Sequence, residues 1–433
     1  MRPGVDVISR ALPPPRSAPT DTGVAFVVGD TGLGDDPYLL VHSMTEYEAN
    51  LGPRDGGPAT YDWADVYFRE GGSQLYVART NPEVDGGTQA APTGADLEAM
   101  TRGDLDAYAT GLGLDPTAYS TKADEIAAIE ALSPNVLALD PTIQAALDAL
   151  VKQLGPGQVA IADPVLAADA ANQSALTAHA QACNRVALLS CADGDATALK
   201  AAGVALQSDA NGRYGALFAP SAVVPGVVAG TTRTVPYTAV EAGIIARNDL
   251  SYTANQAAAG VLGQALYAID VNGRYTDQEY SDLNVASVNM ARIVYGGVRT
   301  YGYRACIDAT KDPTWEWFGF ARLNMEITAQ AEEIGERYVF SQLDGKRRTI
   351  SQFGGELSAM LAPLYDAGAL YGDTAADAYD VDVGISVNTE ATIANGELHA
   401  ILSVKMSPAA EWVEIEIVKV ATTQSLPATA VAA

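Results

Sequence analysis

The sequence predicts an α/β protein with a β-rich C-terminal section and an extended strand at each end. Three observations predict it. Short apolar runs recur between helical stretches from residue 159 to residue 219, the pattern of a mainly parallel sheet. Near the C-terminus Val381, Val383, Ile385 and Val387 alternate with polar or small residues, as do Leu398, Ala400, Leu402 and Val404, so this region reads as a hairpin with one buried face. The closing segment 412–420 alternates too, with Val413, Ile415 and Ile417 on one side and Glu414 and Glu416 on the other.

In chain order, residues 1–21 form an arm. Val5, Val7 and Ile8 mark a short strand, and Pro13-Pro14-Pro15 and Pro19 keep the rest of the arm extended. At about 3.1 Å per residue, residues 10–20 span roughly 30 Å, far enough to reach a neighbouring molecule. A buried strand at 24–28 ends in Gly29. A helix comes next at 45–51 with Thr45 as N-cap, then an amphipathic helix at 61–69 stopped by Gly71-Gly72, then a strand at 75–79. Residues 82–150 are rich in Ala, Asp and Gly with weak patterning and read partly as an insertion, with 112–154 mostly helical. Strands at 159–162, 186–189 and 214–219 alternate with helices at 173–183 and 196–206. A Gly- and Thr-rich loop lies after Pro225, and 240–247 and 257–262 read as helices. Segments 287–294 and 298–303 flank Gly296-Gly297, and long helices are expected at 315–338 and 352–367, the second closed by Gly368. Asn395-Gly396 supplies turn chemistry before the last hairpin strand. A two-stranded hairpin is marginal in water, so it needs a third strand, and 413–420 supplies one from this chain or from another.

The length, 433 residues, allows two or three domains, and 48% hydrophobic residues fill a sizeable core. The net charge of −27, from 26 Lys+Arg against 53 Asp+Glu, lacks the basic footprint of a nucleic-acid binder and disfavours anionic membrane surfaces. No apolar run reaches membrane-spanning length, so no direct membrane insertion is expected, and the N-terminus lacks the apolar core of a secretion signal. Cys183, Cys191 and Cys306 are too few for a disulfide framework and fit a reducing cytoplasm.

Candidate chemistry is sparse. Gly29-Asp30-Thr31-Gly32-Leu33-Gly34 comes after a strand, but it matches neither dinucleotide nor P-loop spacing, and its acids oppose phosphate. His42, His179 and His399 are far apart and in no metal spacing. Asp270, Asn272, Asp277, Glu279 and Asp282 faintly suggest a calcium loop but miss its register, so solvated carboxylates are the better reading. No nucleophile elbow is present, and no cofactor is expected. Lys346-Arg347-Arg348 is the one triple basic run. It is either a solvated helix start or, because cations there oppose the helix dipole, a contact for an acidic partner. Trp315, Trp317, Phe318 and Phe320 read as core rather than as a ligand cage.

Several segments together resemble the contractile tail sheath family of phage tails, R-type bacteriocins and related injection machines. Arg2-Pro3-Gly4-Val5-Asp6-Val7 looks like its P-G-V-x-V arm, and Leu40-Val41-x-Ser43 with Tyr47 to Gly52 like its L-V-x-S…F-x-x-x-F-G stretch. Phe68-Arg69-Glu70-Gly71-Gly72 with Leu75-Tyr76-Val77-Ala78-Arg79 is similar to F-F-x-N-G-G-x-x-x-Y-V-V-R, with Glu70 in place of asparagine. Ala246-Arg247-Asn248-Asp249 resembles A-R-T-D, and Tyr295-Gly296-Gly297-Val298-Arg299-Thr300 resembles the W-G-A-R-T turn. Gly368-Ala369-Leu370-Tyr371-Gly372 and Ala410-Glu411-Trp412 look like the C-terminal domain.

The resemblance implies a subtilisin-like α/β outer domain at 22–305 without a working protease site, an inner tube-facing α+β domain at 306–410, and arms at 1–21 and 411–433. It implies a non-enzymatic subunit stacked as six-fold rings around a tail tube protein, meeting baseplate and tail terminator proteins. It places the protein in the virion tail after assembly in the host cytoplasm. It also implies strand exchange: Val5, Val7, Ile8, Val413, Ile415 and Ile417 donate to a neighbour's hairpin at Val381, Val383, Ile385, Leu398, Leu402 and Val404, while Lys346, Arg347 and Arg348 meet the tube. A sheath of a non-phage injection system or tailocin is the alternative in this class, and an oligomeric α/β hydrolase-like enzyme the alternative outside it.

Overall fold

The computed structural model describes residues 22–34, 36–54, 57–80, 121–123, 143–228, 230–411 and 413. The strands expected from the apolar runs form as β1 (Ala25–Gly29), β3 (Leu75–Arg79), β4 (Gln158–Ile161), β5 (Val186–Ser190) and β6 (Gly215–Ala219). With β2 (Tyr38–Val41), β10 (Val288–Val294) and β11 (Gly297–Tyr301) they make an eight-stranded sheet in the order β11-β10-β6-β5-β4-β1-β3-β2. The inner strands run parallel, and β2 and β11 close the edges antiparallel.

Both faces are covered, which is why the strands carry continuous apolar runs. On one face Ala25 and Val27 pack with helices α1 (Met44–Leu51), α2 (Pro58–Glu70) and, further along the chain, Tyr237–Asp249. On the other, Phe26 and Val28 pack with α3 (Ile143–Ala149) and, after the short α4 (Pro164–Ala167), with α5 (Ala170–Ala182) and α6 (Ala196–Leu206). The Tyr237–Asp249 helix, α7, is buried at every position except Arg247 and Asp249.

The turn chemistry explains the glycines the sequence singled out. Gly71 caps α2 at φ 112°, and its N–H and that of Gly72 donate back to Phe68 and Tyr67. A Cβ on Gly72 would lie 2.3 Å from the Tyr67 ring. Between β10 and β11 the two loop residues, Tyr295 and Gly296, both have positive φ (50° and 82°), the requirement of a type I′ hairpin.

Three expectations change. Ser43, not Thr45, caps α1, its side chain accepting the Glu46 N–H. The loop after Pro225 joins two strands, β7 (Ala222–Pro225) and β8 (Thr232–Val235), and with β9 (Asp270–Val271) these make a three-stranded sheet in the order β8-β7-β9. Residues 257–262 are not helical: Gly260 N–H donates to Thr300 O, and nearby Ala265 N–H donates to Val298 O and Gly263 O accepts from Thr300 N–H. Pairing with β11 thus overrides the local alanine preference. The acids of the faint calcium pattern have other partners: Glu279 forms a capping box with Thr276 on α8 (Asp277–Val285), and Asp270 pairs with Arg274.

The C-terminal section builds on two long helices, α9 (Phe318–Glu336) and α10 (Arg348–Asp366). α9 joins the two cores: Phe318, Ala321 and Met325 pack in the main core, while Leu323, Ile327 and Ile334 pack with α10 and the C-terminal strands. Arg322 on the same helix is fully buried and pairs with Asp249 at 2.5 Å, with a second bond to Ala254 O at 2.8 Å. After α11 (Ala375–Ala378) comes β12 (Tyr379–Asp382), then α12 (Glu390–Ala394), then β13 (Ile401–Val404).

Candidate functional site

The site expected from the sequence is the C-terminal hairpin. β12 and β13 pair antiparallel with Tyr379 opposite Val404 and Asp382 opposite Ile401, and no third strand joins them among the described residues. The ladder is shorter than the alternating residues predict. After Asp382 its own carboxylate accepts the Gly384 N–H at 2.7 Å and turns the chain, and the Asn388 N–H closes a further turn on Gly384 O. Asn388, fully buried, then bonds Val383 O, His399 O and His399 N–H, tying the two arms where backbone pairing has ended.

Ile385 lies on this turn, beyond the paired residues of β12, and is 75% exposed. Val381, Val383, Leu398, Leu402 and Val404 are half-buried against α9 and α10, and burial alternates from Leu398 to Val404. The opposite face, with Ile401, Ser403 and Lys405, is exposed.

Each free edge of this sheet has a groove beside it. Along β13, between it and α9, a groove of about 370 Å³ is lined by Ile327, Ala331, Phe353, Leu357, Ala400, Leu402 and Val404, with Asn324, Thr328 and Glu332 of α9 adding polar groups, a mainly apolar wall. Along β12 a groove of about 530 Å³ is lined by the small Ser351, Gly354, Ser358, Ala375 and Ala376 together with Tyr379, Asp380, Val381 and Val383. A sheet edge carries unpaired N–H and C=O groups, so an edge beside an apolar groove offers both halves of a strand-docking site.

The donor residues are only partly visible. Val5, Val7, Ile8, Ile415 and Ile417 lie outside the described residues. Val413 is described and 75% exposed. The chain reaches it by a fixed route: Leu370 bridges Met406, Ser407 N–H donates to Ala369 O, and Glu411 meets Arg304. The Arg304 fork bonds Glu411 through Nε at 3.1 Å and Nη2 at 2.6 Å, and Glu316 through Nη1 at 2.6 Å, with its guanidinium 5.4 Å from the Trp317 ring centre. Burial disfavours the Arg304 charge, but the two carboxylates outweigh it and hold its pKa above the ordinary arginine value. Arg304 carried no signal in the sequence. Glu411 did, within Ala410-Glu411-Trp412.

The basic run divides. Arg347 sits at φ 58° and donates to Asn388 O and Val383 O, stapling the turn beside the sheet. Arg348, 74% exposed, is 3.9 Å from Asp344, and Lys346 has no ion-pair partner among the described residues. These two carry the exposed positive charge. The histidines stay apart: His42 pairs with Glu46, His399 with Glu397, and His179 is buried against Arg185. Among the described residues no group of three His, Cys, Asp or Glu gathers as for a metal, and no helix is long and apolar enough to cross a membrane.

No protein-family model and no curated protein sequence matches the chain. Solved structures do. The helical sheath of the anti-feeding prophage (AFP) in its contracted state aligns with a TM-score of 0.61 at 20% identity, over 96% of this chain and 98% of that one. The PVC sheath complex of an extracellular contractile injection system, also contracted, aligns with a TM-score of 0.62 at 16% identity, over 96% and 97%. The fold is that of a contractile sheath protein. A sheath tail protein from Desulfitobacterium hafniense gives a TM-score of 0.51 at 11% identity, over 88% of this chain and 93% of that one. At these identities the sheath fold persists although few side chains are shared. The motif residues therefore gain meaning from their contacts: Arg247 donates to Glu70 O and Gln264 O, Asp249 holds Arg322, and Arg299 holds Gln264. They fasten the frame that carries the C-terminal sheet.

Proposed function

We propose that this chain is a non-enzymatic sheath subunit. Copies stack as six-fold rings around a tube of a second protein, meet baseplate and terminator proteins at the ends, and contract to drive the tube through a cell envelope. The observation that carries the reading is the sheet β12–β13, two-stranded among the described residues, with a groove beside each edge. Residues 413–420 of one neighbour dock along β13, where Val413, Ile415 and Ile417 enter the apolar groove. Residues 5–8 of another dock along β12. Full burial of each aliphatic side chain contributes about 1.5–3 kcal/mol, and each backbone bond about 1 kcal/mol net. Ordering the arms offsets much of this. The linked subunits then rotate as rigid bodies on extended tethers.

In this reading residues 22–305 form the outer, subtilisin-like part and 306–410 the inner, tube-facing part, with Lys346 and Arg348 toward the tube. A sheath of a non-phage injection system or tailocin is the alternative to a phage tail within this reading. Electron microscopy of the full chain is expected to show rings or tubes, and deletion of residues 412–433 to leave a folded monomer. Discrete small oligomers of the full chain would favour the hydrolase-like enzyme. Filaments from the truncated chain would refute donation by the C-terminal strand.

A further inference from the structure

The closing strand has two sheets it could join, its own and a neighbour's, and the route of residues 404–411 bears on the choice. Val404 lines the groove with Asn324, Ile327 and Thr328 of α9. Glu411 is held by Arg304, whose backbone bridges Trp317 and whose side chain pairs with Glu316, at the start of the same helix. At 1.5 Å per residue, positions 317 and 324–327 lie roughly 10–15 Å apart along the helix axis. Between 404 and 411 the chain therefore travels back along α9, away from the groove.

A strand returning to its own β13 must first recover that distance. At about 3.3 Å per residue this uses roughly three to five residues after Glu411. Val413 would remain outside the groove and Ile415 at its mouth, leaving Ile417 alone of the three to be buried. A strand entering another copy's groove has no such detour and can seat all three.

The clamp is well built for a fixed take-off point. Arg304 is held through its backbone by the fully buried Asn289, whose Oδ1 accepts the Arg304 N–H at 2.6 Å and whose Nδ2 donates to the Arg304 carbonyl at 2.8 Å. Its Nε reaches both Glu411 oxygens, at 3.2 and 3.1 Å, and its Nη2 donates to Oε2 at 2.6 Å, so two charged donors hold the carboxylate. We propose that Arg304 is a positioning residue: by pinning Glu411 beside Glu316 it denies the closing strand its own sheet and directs it to a second copy of this chain. This rests on the strand-donation reading above and adds to it the device that selects the partner.

The test uses the full chain with Val404→Cys and Ile415→Cys, in a background of Cys183→Ala and Cys191→Ala, oxidised after assembly and resolved on a denaturing gel. A multimer ladder reports strands passing between copies. A crosslinked monomer reports a strand folded back. With Arg304 in place the ladder is expected to dominate. Arg304→Met is expected to lower the ratio of ladder to crosslinked monomer about tenfold or more, the change expected on loss of a charge-assisted pair. Glu411→Gln, which leaves the Arg304–Glu316 pair and the Asn289 bonds untouched, is expected to shift the ratio the same way and serves if Arg304→Met does not fold. An unchanged ratio in a folded variant overturns the role given to Arg304 while donation stands. A parent chain giving only crosslinked monomer, or no crosslink, overturns donation itself.

Discussion

Glu70 offers the sharpest test of how the frame is held. Its carboxylate is fully buried and accepts three backbone N–H groups: Leu266 at 2.6 Å on Oε2, and Tyr267 at 2.8 Å and Ala268 at 3.1 Å on Oε1. Arg247 Nη1 stands 3.7 Å from Oε2. The loop so gathered leads directly into β9. In Glu70→Gln the amide oxygen can take the Oε1 place and keep two bonds, but its NH₂ then faces the Leu266 N–H and the Arg247 guanidinium. One bond to a charged acceptor, worth about 1.5–3 kcal/mol, is lost, and the remaining two lose their charge assistance. The expected destabilisation is about 2–4 kcal/mol, with Glu70→Ala at least as severe. Urea unfolding of the 412–433 deletion, tracked by circular dichroism, measures it without interference from assembly. A Glu70→Gln midpoint within about 0.5 kcal/mol of the parent would refute the assignment of Glu70 as the loop's ionised anchor.

Two further predictions concern charge. Burial, and then the neighbouring Arg185 cation, depress the His179 pKa from 6.5 to about 4. Between those values the unfolded chain takes up a proton that the native state refuses, so this contribution is complete above pH 6.5 and is lost as pH falls toward 4. The loss amounts to about 3 kcal/mol, and His179→Gln should remove that part of the pH dependence; parallel stability curves for the two proteins between about pH 7 and 4.5 would sink the idea. For the basic run, Lys346→Glu with Arg348→Glu should weaken binding to purified tubes by about 1–2 kcal/mol and more at low salt. Arg347→Glu should instead destabilise the turn at Val383 and Asn388, and equal tube decoration by parent and double variant would remove the tube contact.

The sheet was legible because its chemistry is local. Residues 186–190 and 196–206 declare strand and helix by composition alone, and Gly71-Gly72 announces a stop that Gly71 makes at positive φ. The illegible parts depend on partners distant in sequence. Residues 257–262 read as helix because alanine favours it, yet pairing with β11 draws this backbone and the residues just after it away from helix. The strand expected to run through Ile385 stops early because Asp382 turns the chain and Asn388 reaches His399, contacts that no alternation of side chains reveals. Of the candidate site, the alternating face from Leu398 to Val404 could be read directly. The two grooves could not, since each needs a helix from another part of the chain, α9 for one and α10 for the other.

A net charge of −27 on each chain gives identical copies a long-range mutual repulsion, which any stack of them would have to overcome. Short, directional links can do so. An open strand edge is ordinarily an aggregation hazard, and here two lie beside grooves on a chain whose overall charge keeps unspecific approach unfavourable. The combination selects for partners that bring their own backbone into register and an alternating apolar face, which is the pattern that Val413, Ile415 and Ile417 present. In the proposed sheath, repulsion between bodies and adhesion through arms would divide the labour of a moving assembly. Broad adhesive faces would resist sliding, whereas strands on extended tethers keep their pairing while the bodies exchange one packing for another. On the proposed function, the acidic composition and a sheet left two-stranded among the described residues would be two halves of one arrangement, in which subunits remain connected without being fixed.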